Sequence, residues 1–419
     1  MEKIIQKLSS VNWDFSDYNS IKYPLDINSI PWYPATFPAP IPKYLVALLS
    51  EKDDCVLDPF GGKGTTIFES IKQGRTAIYN DINPFASDMV KSLIESIKFS
   101  AFDENSISNI IEEDKIKLKN VKRNETDDTY SSELINNKMK EDNFKKRFEI
   151  FNSYNILEDV FYWFHFDTLL ELLEIYKLIQ ESDSVEKYIR KMAFISILKE
   201  TSSQRGHFTY VTDNCKPKIL KYNNALISYY DMLDRIRLST CDFLQRFSIV
   251  NNSENVLSII DKTIIHEGDA RTLNWIDSES VDLVVTSPPY LCAQDYTKTM
   301  RLINLFFPND DFGKIASNEI GPRSQRNKKS EVVVSGFYDD LKKVFSEIYR
   351  VLKEDKYFCL VIGQGSGKIT QSYDTIKDLT NILTEEIGFE EVFNTIRYIS
   401  HKTIRIGGVE TEKIIILKK

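Results

Sequence analysis

Residues Cys55–Thr66 read CVLDPFGGKGTT: an apolar run, an aspartate, a proline and then three glycines within four residues. The run Cys55–Phe60 (CVLDPF) predicts a buried strand that ends in the glycine-rich turn. Pro59 and Phe60 close it, and Gly61, Gly62 and Gly64 supply the backbone freedom and close approach that a ligand-cradling turn needs. Such clustering stands out in a chain with only 15 glycines. A helix is expected from about Thr65 to Gln73, with Gly74 as its terminator. A phosphate loop does not fit, because that pattern needs a terminal Gly-Lys-Ser/Thr and here Lys63 precedes Gly64-Thr65-Thr66. An acidic residue at the head of the turn suits a ligand that carries an ammonium group rather than phosphates.

Working outward, TAIYND (Thr76–Asp81) reads as a second strand. Its terminal Asp81 lies where a carboxylate can accept hydrogen bonds from both hydroxyls of a ribose. Strand, turn, helix, strand is the beginning of an open parallel sheet. On the other side, IPWYPATFPAPIP (Ile30–Pro42) holds five prolines in thirteen residues and is expected to be extended or looped, with a short helix over Lys43–Ser50. Further strands are expected in TIIHEGD (Thr263–Asp269), VDLVVTSPPY (Val281–Tyr290), YFCLVIGQ, within Phe389–Ser400 and in KIIILKK. Helices are expected over Phe337–Leu352 and near Tyr373–Ile387. Between about 101 and 261 no alternating strand pattern is evident. Spacings such as Leu169, Leu172, Leu173, Ile175 and Tyr176 predict a mostly helical insertion. The chain thus divides into 1–100, 101–261 and 262–419.

Composition narrows the function. At 419 residues, 42% hydrophobic and 28% charged, the chain has material for a full catalytic domain and a second module. A net charge of −8 argues against nonspecific coating of nucleic acid and leaves room for a local basic cleft. Arg323, Arg326, Lys328 and Lys329 are one candidate source; Arg205, His207, Lys216, Lys218 and Lys221 are another. Five dispersed cysteines without a CxxC pair fit neither a disulfide framework nor a zinc ribbon, and no histidine–carboxylate spacing points to a metal. No signal-like start and no run of about 18 apolar residues is present, so a soluble cytoplasmic protein is expected.

The second chemical signal is Thr286-Ser287-Pro288-Pro289-Tyr290, at the end of VDLVV. The prolines withhold donors and stiffen the turn, which holds the Ser287 hydroxyl and the Pro288 carbonyl as acceptors. An exocyclic amino group has hydrogens to give them. Drawing on that group favours a pyramidal nitrogen, so transfer to it needs orientation and electrostatics more than a strong base. Tyr290 offers a flat face for a base turned out of a duplex. No cysteine lies in a proline-cysteine context, which disfavours attack through cytosine C5.

DPFGGKGTT and TSPPY resemble the cofactor and catalytic motifs of the bacterial DNA amino-methyltransferases, which make N4-methylcytosine or N6-methyladenine. The resemblance covers Ser29–Asn83 and Thr263–Lys419. It implies S-adenosyl-L-methionine as cofactor, double-stranded DNA as substrate, a cognate restriction endonuclease as a possible companion, and an α/β seven-stranded Rossmann-like sheet whose last strand, KIIILKK, is antiparallel. Carried over, Asp58, Pro59, Phe60, Gly62, Gly64 and Thr65 line the methionine end of the cofactor, Asp81 its ribose and Asp269 its adenine, with Thr36 and Phe37 closing over the methionine. Ser287, Pro288, Pro289 and Tyr290 become the catalytic turn. Asp295, Tyr296 and Arg301, in LCAQDYTKTMR, are candidate base or phosphate contacts; Arg205, His207, Arg323 and Arg326 are further candidate DNA contacts. The serine-headed motif favours cytosine N4 over adenine N6. Two features depart from the family pattern: the cofactor motif precedes the catalytic one, and the insertion, expected to recognise the target, precedes the GDA strand. An RNA amino-methyltransferase and a catalytically silent subunit of the same fold are the rival readings.

Overall fold

In CVLD the side chains alternate between two apolar layers: Val56 packs with Leu283, Val285 and Ile416 on one face of the sheet, Leu57 with Val284, Phe358 and Leu360 on the other. With both faces covered, Val56 and Leu57 are both fully buried, as successive residues of a buried parallel strand are. A computed structural model describes residues 2–15, 18, 23–30, 33–34, 36–121, 129–132, 154–204, 216–251, 255–325, 328–365, 372–399 and 411–419. Its strands are β1 (Cys55–Asp58), β2 (Thr76–Asp81), β3 (Thr129–Ser131), β4 (Ile219–Lys221), β5 (Ile264–Glu267), β6 (Val281–Thr286), β7 (Leu352–Gly363), β8 (Glu390–Tyr398) and β9 (Thr411–Lys418).

Seven of these form one sheet in the order β5-β2-β1-β6-β7-β9-β8. The first five are parallel, and β9 runs antiparallel to both β7 and β8. This is the expected α/β seven-stranded sheet, with KIIILKK as the reversed strand. Strand order reverses beside β1: the chain moves outward through β2 and β5 on one side and through β6 and β7 on the other. At such a switch point the carboxyl ends of the strands open a crevice.

Helix Ser330–Val351 covers one face of the sheet through Phe337, Leu341, Val344, Phe345 and Ile348, one stripe at helical spacing. Helices Glu2–Ser10 and Pro40–Leu49 cover the opposite face over β6, β7 and β9. The second of these begins inside the proline-rich stretch rather than after it. Pro40 sits in the first turn, where a missing N–H costs nothing, so the expected helix start at Lys43 moves back three residues.

Within 101–261 the described elements are mostly helical: Ser106–Leu118, Phe166–Glu181, Ser184–Thr201, Ala225–Asn251 and Val256–Ile260. Strand pairing occurs there too, since β3 and β4 form an antiparallel pair with Tyr130 opposite Leu220. These helices share one apolar core with the sheet: Phe68, Ala77 and Tyr79 belong to the same cluster as Leu169, Phe194 and Phe243. A buried ion pair, Arg190 Nε to Asp114 at 3.0 Å, with the Tyr229 hydroxyl donating to the same carboxylate at 2.8 Å, fixes helix Ser106–Leu118 against its neighbours. Among the described residues no helix is long and apolar enough to cross a membrane.

Candidate active site

Asp58 ends β1, Asp81 ends β2, Asp269 follows β5 and Ser287 follows β6, so four neighbouring strands deliver a polar side chain to the same rim. All four line one cleft, whose roughly 880 Å3 includes space open to solvent.

The glycine turn is built from backbone. Gly61 N donates to the Asn80 carbonyl at 2.9 Å and Gly64 N to the Gly61 carbonyl at 2.8 Å. Gly64 stands at φ +85°, a region that favours glycine, and is the N-cap of helix Thr65–Lys72. A Cβ at Gly61 would lie 2.3 Å from the Tyr79 ring, whose hydroxyl donates to the Gly62 carbonyl at 2.8 Å. Asp81 accepts from Gly62 N and from Asn83 N, both at 2.8 Å. Asp58, 2% exposed, accepts from Phe60 N at 3.1 Å. Among the described residues neither carboxylate has an ion-pair partner, and burial pushes each up to about 6.

The serine turn is joined directly to this loop. Thr286 Oγ1 donates to Asp58 Oδ1 at 2.6 Å, so the strand ends that carry the two motifs are hydrogen-bonded side by side. Beyond Thr286, the Ser287 hydroxyl lies 3.2 Å from the Tyr290 hydroxyl, which donates to Glu412 Oε1 on β9 at 2.8 Å. Burial and the Glu412 carboxylate hold the Tyr290 hydroxyl well above the usual phenol range.

Comparison with known proteins decides the family. A profile described as DNA methylase matches residues 5–92 and 281–407, which contain both turns. The chain belongs to the DNA methylase family. The Type II methyltransferase M.MvaI of Kocuria varians is 23% identical over 395 residues, which is 85% of this chain and 80% of its own length. M.MjaI of Methanocaldococcus jannaschii, another Type II methyltransferase, is 31% identical over 138 residues, 31% of this chain and 44% of that protein. Among solved structures, a SAM-dependent methyltransferase from Methanosarcina mazei matches 93% of this chain and 99% of its own at 10% identity, with a TM-score of 0.31.

In this methylase the cleft wall includes Thr36, Phe37, Asp58, Pro59, Phe60, Gly62, Thr65, Asp81, Asp269, Ser287, Pro289 and Tyr296. Gly64, the N-cap of helix Thr65–Lys72, is not part of that wall. Pro288 is buried, and the half-buried Tyr290 ring packs against the apolar layer under helix Ser330–Val351, so neither forms part of that wall. The Asp269 carboxylate is taken up by Arg271, whose Nη2 lies 2.6 Å away. The candidate substrate contacts largely serve the scaffold. Asp295 accepts from Ser324 N at 2.9 Å, Arg301 pairs with Asp159 at 2.5 Å, and Arg323 N donates to the Gln294 carbonyl at 3.1 Å. Those three residues lie outside the cleft wall. Arg205, His207 and Arg326 fall outside the described residues.

Several wall residues are not among those singled out from the sequence. Tyr33, 7% exposed, stands with its ring 3.3 Å from where a Gly62 Cβ would be. Lys63 donates to the Asn28 carbonyl at 2.6 Å, and burial lowers it to about 8. Glu319 accepts from Thr297 N at the start of the short helix Tyr296–Thr299, and burial pushes it up to about 7. Tyr33 and Lys63 sit inside stretches already marked by prolines and glycines; for Glu319 the sequence offers no cue.

Proposed function

We propose that this methylase transfers a methyl group from S-adenosyl-L-methionine to the exocyclic amino group of a base in duplex DNA, cytosine N4 in preference to adenine N6. The carrying observation is the hydrogen bond from Thr286 to Asp58, which sets the glycine turn and the serine turn on one rim of one cleft. The cofactor fits that rim. Two desolvated carboxylates without cationic partners among the described residues favour a ligand that carries positive charge, and Gly62 beside Asp81 leaves room for a ribose.

When bound, S-adenosyl-L-methionine supplies an electrophilic methyl on a sulfonium. The chain does the rest. Asp58 and Asp81, ionised beside a cation, hold the donor end of the cleft. Ser287 and the carbonyl of Pro288 accept hydrogen bonds from the substrate NH2 and aim its lone pair along the line of transfer. Tyr296 on the wall flanks the space for a base turned out of the helix, and Tyr290 packs behind that wall. No covalent intermediate on the enzyme is needed.

Residues 101–261 we assign to target recognition. The Arg301–Asp159 pair supports this, because it joins the segment after the serine turn to the insertion. The Type II designation of the relatives supports a restriction endonuclease as companion.

The test is to incubate the protein with duplex DNA and isotopically labelled cofactor, digest to nucleosides and identify the product by mass spectrometry. N4-methyldeoxycytidine is expected. N6-methyldeoxyadenosine would retain amino transfer and reverse the choice of base; 5-methyldeoxycytidine, or no product, would overturn the reading.

A further inference from the structure

Behind the serine turn runs a side-chain network that the reaction as described does not use. Glu412 on β9 stands directly opposite Arg397 on β8 in the cross-strand register. Both are buried, at 9% and 4% exposure. The Arg397 guanidinium donates to Glu412 Oε2 and, through Nε, to the Trp13 carbonyl at 3.2 Å and, through Nη2, to the Asp14 carbonyl at 3.3 Å. That leaves Glu412 Oε1 facing the sheet's rim, where the Tyr290 hydroxyl reaches it at 2.8 Å.

A carboxylate held by a guanidinium only accepts hydrogen bonds. The single proton of the Tyr290 hydroxyl is therefore committed to Glu412, and the phenol oxygen is left as an acceptor for the group on its other side. That group is the Ser287 hydroxyl, 3.2 Å away. Without Glu412 the pair could run either way, because each hydroxyl both donates and accepts. With it, the direction is set from serine to tyrosine to glutamate.

We propose that Glu412 is a positioning residue for Ser287. By fixing the direction of this chain it turns the serine proton away from the cleft, so that the Ser287 lone pairs face the amino group of the substrate. The inference rests on the amino-transfer reading above. If the serine proton pointed into the cleft it would meet an N–H head on, donor against donor, and the acceptor that orients the nitrogen would be lost. Glu412 touches no substrate. Its effect passes through Tyr290, and Arg397 holds it in place.

The experiment compares the full-length wild type, Glu412→Gln, Tyr290→Phe and the double variant. It measures kcat and KM for duplex DNA, the calorimetric Kd for the cofactor and Tm. Glutamine keeps the shape and can present an N–H to the Tyr290 oxygen, which releases the chain's direction. Glu412→Gln is expected to lower kcat about tenfold or more while KM and cofactor Kd change by less than about twofold. Tyr290→Phe keeps the ring, leaves Arg397–Glu412 intact and also lowers kcat. In the Tyr290→Phe background Glu412→Gln is expected to add nothing further to kcat, the non-additivity of groups acting through one bond.

Glu412→Gln with wild-type kcat, or two effects that simply multiply, would overturn the proposal, because a purely structural glutamate acts whether or not the tyrosine hydroxyl is present. If Glu412→Gln does not fold, Tyr290→Phe decides: loss of turnover at constant KM upholds the chain, and unchanged turnover refutes it. The wild-type arm separates the two levels of inference. A wild type that makes no methylamino product brings down the amino-transfer reading and this proposal together; an active wild type matched by Glu412→Gln brings down the proposal alone.

Discussion

The two ends of the cleft are built by different means. At the end proposed to hold the cofactor most contacts involve backbone groups and several are short in sequence: Phe60 N on Asp58, Asn83 N on Asp81, Gly64 N on the Gly61 carbonyl. At the serine end each contact uses at least one side chain, and most join residues far apart in the chain. Tyr290 reaches Glu412, Thr297 N meets Glu319, and Arg301 meets Asp159. A backbone site is set by which residues permit the turn; a side-chain site is set by what the rest of the fold brings to it. Substitution should therefore damage the first end through conformation and the second through chemistry.

The largest expected effect is at the serine end. Ser287→Ala removes one acceptor from the transition state and should lower kcat by about 10²–10³-fold, the scale of losing one well-placed oxyanion-type contact, with cofactor Kd nearly unchanged. Stopped-flow or single-turnover transfer alongside calorimetry separates the two quantities. A parallel fall in cofactor affinity would break the distinction between the ends.

At the cofactor end, Gly64→Ala places a Cβ at φ +85° and 2.8 Å from Val90. Strain and overpacking together should cost about 1–3 kcal/mol, read as a lower urea midpoint at unchanged slope. Gly61→Ala should act likewise through the Tyr79 ring. Normal stability in both would mean that the turn is not backbone-limited.

Acidity gives the next effect. Asp58 and Asp81 titrate near 6 without a ligand, above the ordinary 3.8. With the folded value raised, their contribution to stability is complete below about pH 4 and is lost as pH rises through about 6. A bound cation reverses the preference, because it favours the ionised carboxyls. Cofactor affinity should therefore climb from pH 5 to 7, by up to about tenfold per unit for each carboxyl well below 6, and then level off. Calorimetry in buffers of different ionisation enthalpy should show proton release on binding at pH 5.5. A flat profile would mean that neither carboxyl meets the positive charge.

The smallest effect belongs to Arg301→Ala, which breaks a partly exposed ion pair with Asp159. A loss of up to about 1 kcal/mol in stability is expected, by chemical denaturation. A far larger rise in KM for DNA than this would show that Arg301 leaves Asp159 to grip the duplex.

This contrast also explains what could be read in advance. The glycine turn, Asp81 at the end of TAIYND, and the SPPY turn after VDLVV are local patterns, so β1, β2 and β6 and the cleft they share were legible. KIIILKK reads as the reversed strand only through its family resemblance. Helix Pro40–Leu49 starts earlier than expected because proline is harmless in a first turn, a distinction that counting prolines does not make. The β3–β4 pair escaped because each strand is three residues long and the pairing joins Tyr130 to Leu220. Glu412 and Glu319 escaped for the same reason: nothing near Lys413 or Asn318 announces the tyrosine or the backbone N–H that the fold brings to them. The sequence presents Tyr290 as a stacking face. Its hydroxyl bond joins it to Glu412, 122 residues away in sequence, and its ring packs under helix Ser330–Val351, so both depend on the assembled fold.

The central claim is tested most directly by a crystal structure of the protein with a DNA duplex and a cofactor analogue that bears an amine in place of the sulfonium methyl. The account predicts that the amine lies within about 4 Å of the exocyclic nitrogen of an extruded base, with that nitrogen hydrogen-bonded to Ser287 and the Pro288 carbonyl. An analogue seated away from Asp58 and Asp81, or a base still stacked with its amino group out of reach of Ser287, would contradict it.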